Sequence, residues 1–466
     1  MALRRGPARA HMPSPDLTRT AAYLKSLALG ESLRRNPAFY RGALRTFDAL
    51  EAAPLEPRRQ QVEARLRLVL RSASRTPYGR RVGAGERIAD WPLLESASVR
   101  DDPAAFRSGS RFWNVPAATG GTTGVPVRLV RSPRSIAIEQ ASIDRLLRAS
   151  GIEPARAHVA VLRGDNVKPV DDRKPPFWTF TQGGRRMVMS SNHLNAASVA
   201  DYAKALREFG ADYWWLYPTS LEALCRLTAE QGIALRAPLV LTSSEVLSPA
   251  VRELATRTLG SAVLDYYGQA ERVCFAYSLS PGEYRFLPGY GFVELVAREV
   301  ETEHELFEIV GTPLWNPAMA LVRYRTGDLI RLPRGTGAAE REALCLGLQT
   351  FAGVLGRDAD ILIAPDGTRL TGIDHFQRGV DRVARIQVIQ ESLDRVRILV
   401  LPRPGYRGDD RDALLRNIRA KLPSTMRVEI EQVTELERTP LGKTPFVIRR
   451  PAAGPKAPQA PKVASA

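Results

Sequence analysis

Cysteine is almost missing from this sequence. Cys225, Cys274 and Cys345 are the only three in 466 residues, far apart and odd in number. That excludes a disulfide-stapled scaffold and a paired-thiolate zinc site, and it fits a reducing cytoplasm. Histidine is scarce too. His11, His158, His193, His304 and His375 show no metal-ligand spacing. No apolar run reaches the ~18 residues that mark a membrane-crossing helix, so no span is expected. Residues 1–15 begin MALRRGPARA, basic but without an apolar core, which excludes a secretory signal and reads as a disordered leader. Residues 451–466 are rich in proline and alanine and read as a loose tail. Lysine is the last shortage: of 67 basic residues only eight are lysine, leaving 59 arginines.

Those arginines give a net charge of +17. They are spread along the whole chain rather than gathered into a basic stripe interleaved with aromatics. No specific nucleic-acid partner is therefore expected; the charge reads first as a compositional bias toward arginine, with anionic substrates as a contributing reason. The length predicts two to three domains. With 44% hydrophobic and 25% charged residues, the chain has the composition of an ordinary globular protein with a large core.

Helix-period and strand-like segments alternate through the first two thirds. Pro133–Ala149, Ala196–Phe209 and Thr219–Glu230 carry apolar residues near a 3.6 period, and Ser248-Pro249 opens a further helix. Between them His158–Leu162, Leu239–Leu241 and Ala262–Tyr267 read as strands. That alternation predicts an α/β fold of layered sheets and helices. After Gly291 come short strands at Phe292–Ala297, Leu306–Val310 and Leu321–Tyr324. Past Gly356 a small α+β module is expected: Ile361–Ile363, a helix near Ile373–Arg382, strands at Arg385–Ile389 and Val396–Leu401, a helix at Asp409–Leu422 and a strand at Arg427–Ile430. The expected division is a large domain over 16–356 and a small one over 357–450, joined by a hinge.

Residues 116–131 read PAATGGTTGVPVRLVR, placing Thr119, Gly120, Gly121, Thr122, Thr123 and Gly124 before an alternating stretch at Val127, Leu129 and Arg131. Glycines let successive N–H groups converge, and threonine hydroxyls add donors, so such a loop can wrap a phosphate chain. A Walker loop is excluded, since no Lys-Ser or Lys-Thr pair follows the last glycine. Taken alone, the stretch is more readily an ordinary surface turn. Four further segments matter. Asp265-Tyr-Tyr-Gly-Gln-Ala-Glu271 ends a strand, where α/β proteins bind ligands and where an acid can hold Mg²⁺. Leu321-Val-Arg-Tyr-Arg-Thr-Gly-Asp328 puts a carboxylate after a glycine turn, able to accept from two ribose hydroxyls. Gly356-Arg357-Asp358-Ala359-Asp360 lies at the expected boundary. Glu437-Arg-Thr-Pro-Leu-Gly-Lys-Thr444 carries Lys443, a compact ammonium in a chain that does its generic cationic work with arginine.

Each segment has an ordinary reading as a turn, a linker or a solvated charge. In this order, over about Leu66–Arg449, they resemble the adenylate-forming superfamily, and within it the phenylacetate–CoA ligase-like group with its capsule-biosynthesis-associated members. Arg75-Thr-Pro-Tyr-Gly79, Tyr217-Pro-Thr-Ser220, Ser243-Ser-Glu-Val-Leu247 and Trp315-Asn-Pro-Ala-Met319 support the likeness. The resemblance implies ATP-dependent activation of a carboxylic acid to acyl-AMP, followed by transfer to CoA. It implies that Thr119, Gly120, Gly121, Thr122, Thr123 and Gly124 hold the ATP phosphates. Tyr267 and Gly268 would lie at the adenine, Glu271 would ligate Mg²⁺, and Asp328 with Arg357 would bind ribose. Lys443 would bridge the acid and the α-phosphate. Tyr217 and Glu245 are candidates for the acid pocket, whose walls could include Tyr213–Tyr217.

This chain departs from the family pattern in four places. Ala270 stands where threonine usually precedes the metal-binding glutamate, and Ser244 where glycine often precedes glutamate. Ala359 occupies the hinge position, and Cys345 alone remains of a paired-cysteine motif, so no zinc is expected. The acceptor stays open between CoA and an amine or hydroxyl, such as one on a saccharide precursor. A nucleotide-binding member without turnover is a further alternative, and the resemblance leaves a homodimer open.

Overall fold

Val159–Leu162, Tyr213–Leu216 and Val240–Ser243 are buried at every position in the computed structural model. Strands that are apolar throughout need cover on both faces, which is the signature of a parallel sheet between helix layers. The structure describes residues 33–450 except 109–113, 119–126, 166, 169–171, 358–361, 366–368, 371–372, 378–379, 381, 420 and 438–445.

The three strands belong to an eight-stranded sheet in the order 283–286, 275–280, 263–268, 240–243, 213–216, 159–162, 186–189, 178–181. Its five central members are parallel, and the outer strands run antiparallel. Alternate residues go to opposite faces. Val159, Val161, Tyr213, Trp215, Leu241, Leu264 and Tyr266 pack with the helices Pro37–Ala52, Leu55–Ala73 and Pro133–Ala149. Ala160, Leu162, Trp214, Leu216, Val240 and Val263 pack with Val199–Phe209, Pro218–Glu230 and Pro249–Leu259. The expected helix at 133–149 has those bounds. Ser132 accepts from the Ser135 N–H, Pro133 sits at its first position, and Ala137, Ile138, Ala141, Leu146 and Leu147 line its buried face.

A second, antiparallel sheet follows: Gly291–Val300, His304–Pro313, Tyr324–Pro333 and Val354–Arg357. It lies hard against Val273, just beyond Glu271. A Cβ on Gly291 would stand 1.8 Å from the Val273 carbonyl oxygen, and one on Gly311 2.8 Å from the Val273 side chain. Only glycine permits that approach. The strand expected at Leu321–Tyr324 is a correction. It begins only at Tyr324, because Arg323 takes a left-handed φ of 53° and breaks the extended run. Leu321 and Val322 are apolar because they fill cores, not because they pair.

Toward the C-terminus, strands 427–432, 395–402, 383–392 and 447–449 form a four-stranded sheet in that order. Ile386, Val388, Ile398 and Val400 pack with Leu414 and Ile418 of the helix Gly408–Arg419 and with Leu362, Ile373 and Phe376 in a cluster of their own. Here too one expectation is corrected. The helix foreseen at Ile373–Arg382 is a short 3₁₀ turn over Ile373–Gln377, and by Val383 the chain has entered a strand paired with Pro402. Among the described residues no helix is long and apolar enough to cross a membrane. Cys225 and Cys274 are buried and Cys345 is partly so. Burial pushes the Cys225 and Cys345 thiols up to about 12, and that of Cys274 higher still.

Candidate active site

The strand Val263–Gly268 carries one acid, Asp265, and leads to a second, Glu271. Asp265 is buried within the sheet, where its carboxylate accepts from the Thr242 hydroxyl at 2.6 Å and from the Tyr284 hydroxyl. Burial pushes its pKa up. It is a structural group. Near the strand end, the Tyr267 hydroxyl donates to Asp328 Oδ2 at 2.6 Å. Burial first, and the Asp328 charge second, hold the Tyr267 phenol far above its ordinary pKa, so it stays a donor. Asp328 is itself buried and follows Gly327, whose φ of 74° makes the turn glycine necessary. Asp328 pairs across the strands with Arg357. The Arg357 side chain lies outside the described residues.

Glu271 is 6% exposed, and its Oε1 accepts from the Tyr324 hydroxyl at 2.6 Å. Its Oε2 has no partner among the described residues. Two tyrosine–carboxylate bonds thus tie the end of the parallel sheet to the strand Tyr324–Pro333. They bring Tyr267, Gly268, Glu271 and Asp328 to one place.

The turn bearing Glu271 is clamped by arginines. Arg131 Nη2 donates to the Ala270 carbonyl at 2.7 Å, and Arg272 Nη1 to the Ser135 carbonyl at 2.7 Å. Burial, with Arg272 nearby, pushes Arg131 down to about 10. Arg131 ends the strand Arg128–Arg131, which pairs antiparallel with Val115–Ala118. Thr119, Gly120, Gly121, Thr122, Thr123 and Gly124 lie outside the described residues, but their flanks, Ala118 and Arg128, are strand partners. The strand pair Val115–Ala118 and Arg128–Arg131 is thus bonded to the Glu271 turn through Arg131. Lys443 also lies outside the described residues. Its flanks are held by adjacent positions of one strand: Gln387 bonds both the N–H and the carbonyl of Glu437, at 2.8 and 2.9 Å, and the Val388 N–H donates to the Phe446 carbonyl at 2.8 Å.

The two acid-pocket candidates part ways. Tyr217 is half-buried just past the strand Tyr213–Leu216, with the Arg163 guanidinium 5.3 Å from its ring centre. Glu245 Oε2 accepts from the Thr219 N–H at 3.0 Å and its hydroxyl at 2.8 Å, at the start of the helix Pro218–Glu230. A carboxylate is stabilised there by the unpaired N–H groups and the helix dipole. Of the aromatic run, Tyr213 and Trp215 face one core and Trp214 the other.

Sequence reading passed over Tyr324 and Arg131. Each carried a signal. Tyr324 stands four residues before Asp328 in the quoted segment. Arg131 extends the buried face of Val127 and Leu129, where an arginine is out of place unless something polar awaits it.

Among the described residues no three His, Cys, Asp or Glu side chains stand close enough to form a metal cage. Glu271 with one unengaged oxygen is the donor set that suits Mg²⁺, which takes one or two carboxylates and completes its shell with phosphate and water.

Residues 362–450 match the CapK C-terminal domain family. The phenylacetate–coenzyme A ligase of Pseudomonas putida is 25% identical over 386 residues, 75% of this chain and 80% of that protein. The crystal structure of 2-hydroxyisobutyryl-CoA ligase in the postadenylation state, with R3-HIB-AMP, aligns over 84% of this chain and 89% of that one, at 14% identity and a TM-score of 0.47.

Proposed function

We propose that the chain is a phenylacetate–CoA ligase-like member of the adenylate-forming superfamily, and that it activates a carboxylic acid with ATP and then passes the acyl group to coenzyme A. What supports this reading is the pair of bonds from Tyr267 to Asp328 and from Tyr324 to Glu271, which link three expected site residues, Tyr267, Glu271 and Asp328, across the two sheets.

In the first step a carboxylate oxygen attacks the α-phosphorus of ATP. The bond to the bridging oxygen breaks, and pyrophosphate leaves with the electron pair. The protein supplies no nucleophile; it supplies position and neutralised charge. Asp328 accepts from the ribose hydroxyls, and Tyr267 lays its ring along adenine while its hydroxyl fixes Asp328. The threonines and glycines at 119–124 receive the phosphates, and Lys443 bridges the acid and the α-phosphate. Glu271 would hold Mg²⁺ through Oε2, and the ion would neutralise phosphate charge. In the second step the CoA thiolate attacks the acyl carbonyl, the bond to AMP breaks, and AMP leaves. The reading divides the chain into a large domain over 16–356 and a small mobile one over 357–450. It also places the enzyme in the cytoplasm, where ATP and CoA are found.

A panel of carboxylic acids in a pyrophosphate-release assay tests the function. At least one acid should give ATP-dependent release that stops on adding EDTA and returns with Mg²⁺. Release with no acid, or release indifferent to EDTA, overturns the reading. Tyr267→Phe should raise KM for ATP about fivefold, the loss of one hydrogen bond of ~1 kcal/mol, with the melting temperature nearly unchanged. An unaltered KM would remove that bond from nucleotide binding.

A further inference from the structure

Arg163 is a half-buried arginine that no carboxylate meets among the described residues. It directly follows Leu162, the last residue of a central parallel strand. Tyr217 and Ser244 follow the ends of the strands Tyr213–Leu216 and Val240–Ser243, at the same edge of the sheet as Tyr267. This is the edge where open parallel sheets take their ligands. The Arg163 guanidinium lies 4.2 Å from the Trp215 ring centre and 5.3 Å from that of Tyr217. Nη2 donates to Ser244 Oγ at 3.0 Å. Nε is buried with no hydrogen-bond partner, and no carboxylate pairs with Arg163 among the described residues. Several half-buried arginines are met by carboxylates: Arg145 by Asp48 and Glu51, Arg325 by Glu95 and Glu308, Arg323 by Glu294.

Ser244 adds a second observation. Its backbone has a left-handed φ of 71°. Glycine would take that conformation without strain; serine takes it at a cost and sets a hydroxyl under the guanidinium. A neutral acyl chain laid against this group would bury the charge further without a counter-ion, which is unfavourable. A flat guanidinium stacked on indole and phenol, with donors left over, suits an anionic oxygen group.

We propose that the activated acid carries a second anionic oxygen group, and that Arg163, held over Trp215 and Tyr217 by Ser244, receives it. The inference rests on the adenylation reading, because it assigns the far end of the acid in that same site. Arg163 sets specificity; Ser244 is a positioning residue.

The test compares glutarate and 3-phosphonopropionate with pentanoate, in pyrophosphate release and, without ATP, in thermal-shift titration. The wild-type enzyme should favour at least one dianion about tenfold or more in kcat/KM. Arg163→Met, which keeps the stem, should lower that preference about tenfold, Arg163→Lys should restore part of it, and Ser244→Gly should lower it severalfold. Circular dichroism checks that each variant is folded. No preference for either dianion in the wild type, including no response to any of the three acids, overturns the proposal. So does an Arg163→Met variant that loses both acid classes alike, or one that instead raises KM for ATP. Carboxylate and phosphonate are told apart by which dianion wins. If a dianion stabilises the wild type but not Arg163→Met, and no acid releases pyrophosphate, the Arg163 assignment stands and adenylation falls. If pentanoate is the preferred substrate, the reverse holds.

Discussion

Lys443→Ala is expected to slow acid-dependent ATP–pyrophosphate exchange about 10²–10³-fold, while equilibrium dialysis still finds ATP bound. That range is what the loss of one preorganised donor to a transition-state oxygen removes, ~2.7–4 kcal/mol. The expectation follows from when the lysine acts. In the proposed mechanism adenine, ribose and the terminal phosphates are held by other groups, so the ground state should lose little. Charge gathers between the carboxylate and the α-phosphate only as the new bond forms, and there the ammonium matters. Lys443→Arg should not restore the rate, since a planar fork cannot replace a point charge between two oxygens. Normal exchange by Lys443→Ala would detach the lysine from adenylation altogether.

Glu271→Gln is the second large effect. Glutamine keeps the length of the side chain and an oxygen able to accept from Tyr324, so the turn should stay in place and the melting temperature should move little. What is lost is the negative charge at Oε2. Pyrophosphate release should fall about 10²-fold at a fixed Mg²⁺ concentration. The concentration giving half-maximal rate should rise, because a hard cation binds a neutral amide oxygen less well than a carboxylate. An unchanged Mg²⁺ response with a lowered rate would mean that Glu271 serves only as the partner of Tyr324.

The site was legible in unequal parts. Tyr267, Glu271 and Asp328 lie in short segments whose residue types match the tasks proposed for them, and hydrogen bonds link the segments in the structure. Those bonds could not be read in advance. Tyr324 was visible only as part of a quoted segment, and its reach to Glu271 depends on Gly291 and Gly311 letting the second sheet close on Val273. Glu245 was no more legible: its carboxylate bonds Thr219 at the start of the helix Pro218–Glu230, and only the fold sets the two together. For the fold, long periodic stretches such as Pro133–Ala149 declared themselves through caps and spacing. Leu321 and Val322 misled because a strand and a buried turn are equally apolar, and a single left-handed residue decides between them. The helix expected after Ile373 failed likewise: its apolar spacing suits one helical turn as well as several, and strand pairing from Val383 cuts it short.

The protected state of the three cysteines bears on how the second half-reaction can be followed. Cys225 and Cys274 are inaccessible, and all three sulfhydryls are held protonated well above neutral pH. An aromatic disulfide such as Ellman's reagent reacts with thiolate. Added to the native enzyme, it should colour slowly or not at all, whereas free coenzyme A colours at once. Disappearance of that colour in a mixture of enzyme, acid and ATP would then count thioester formed, directly and without subtracting a protein signal.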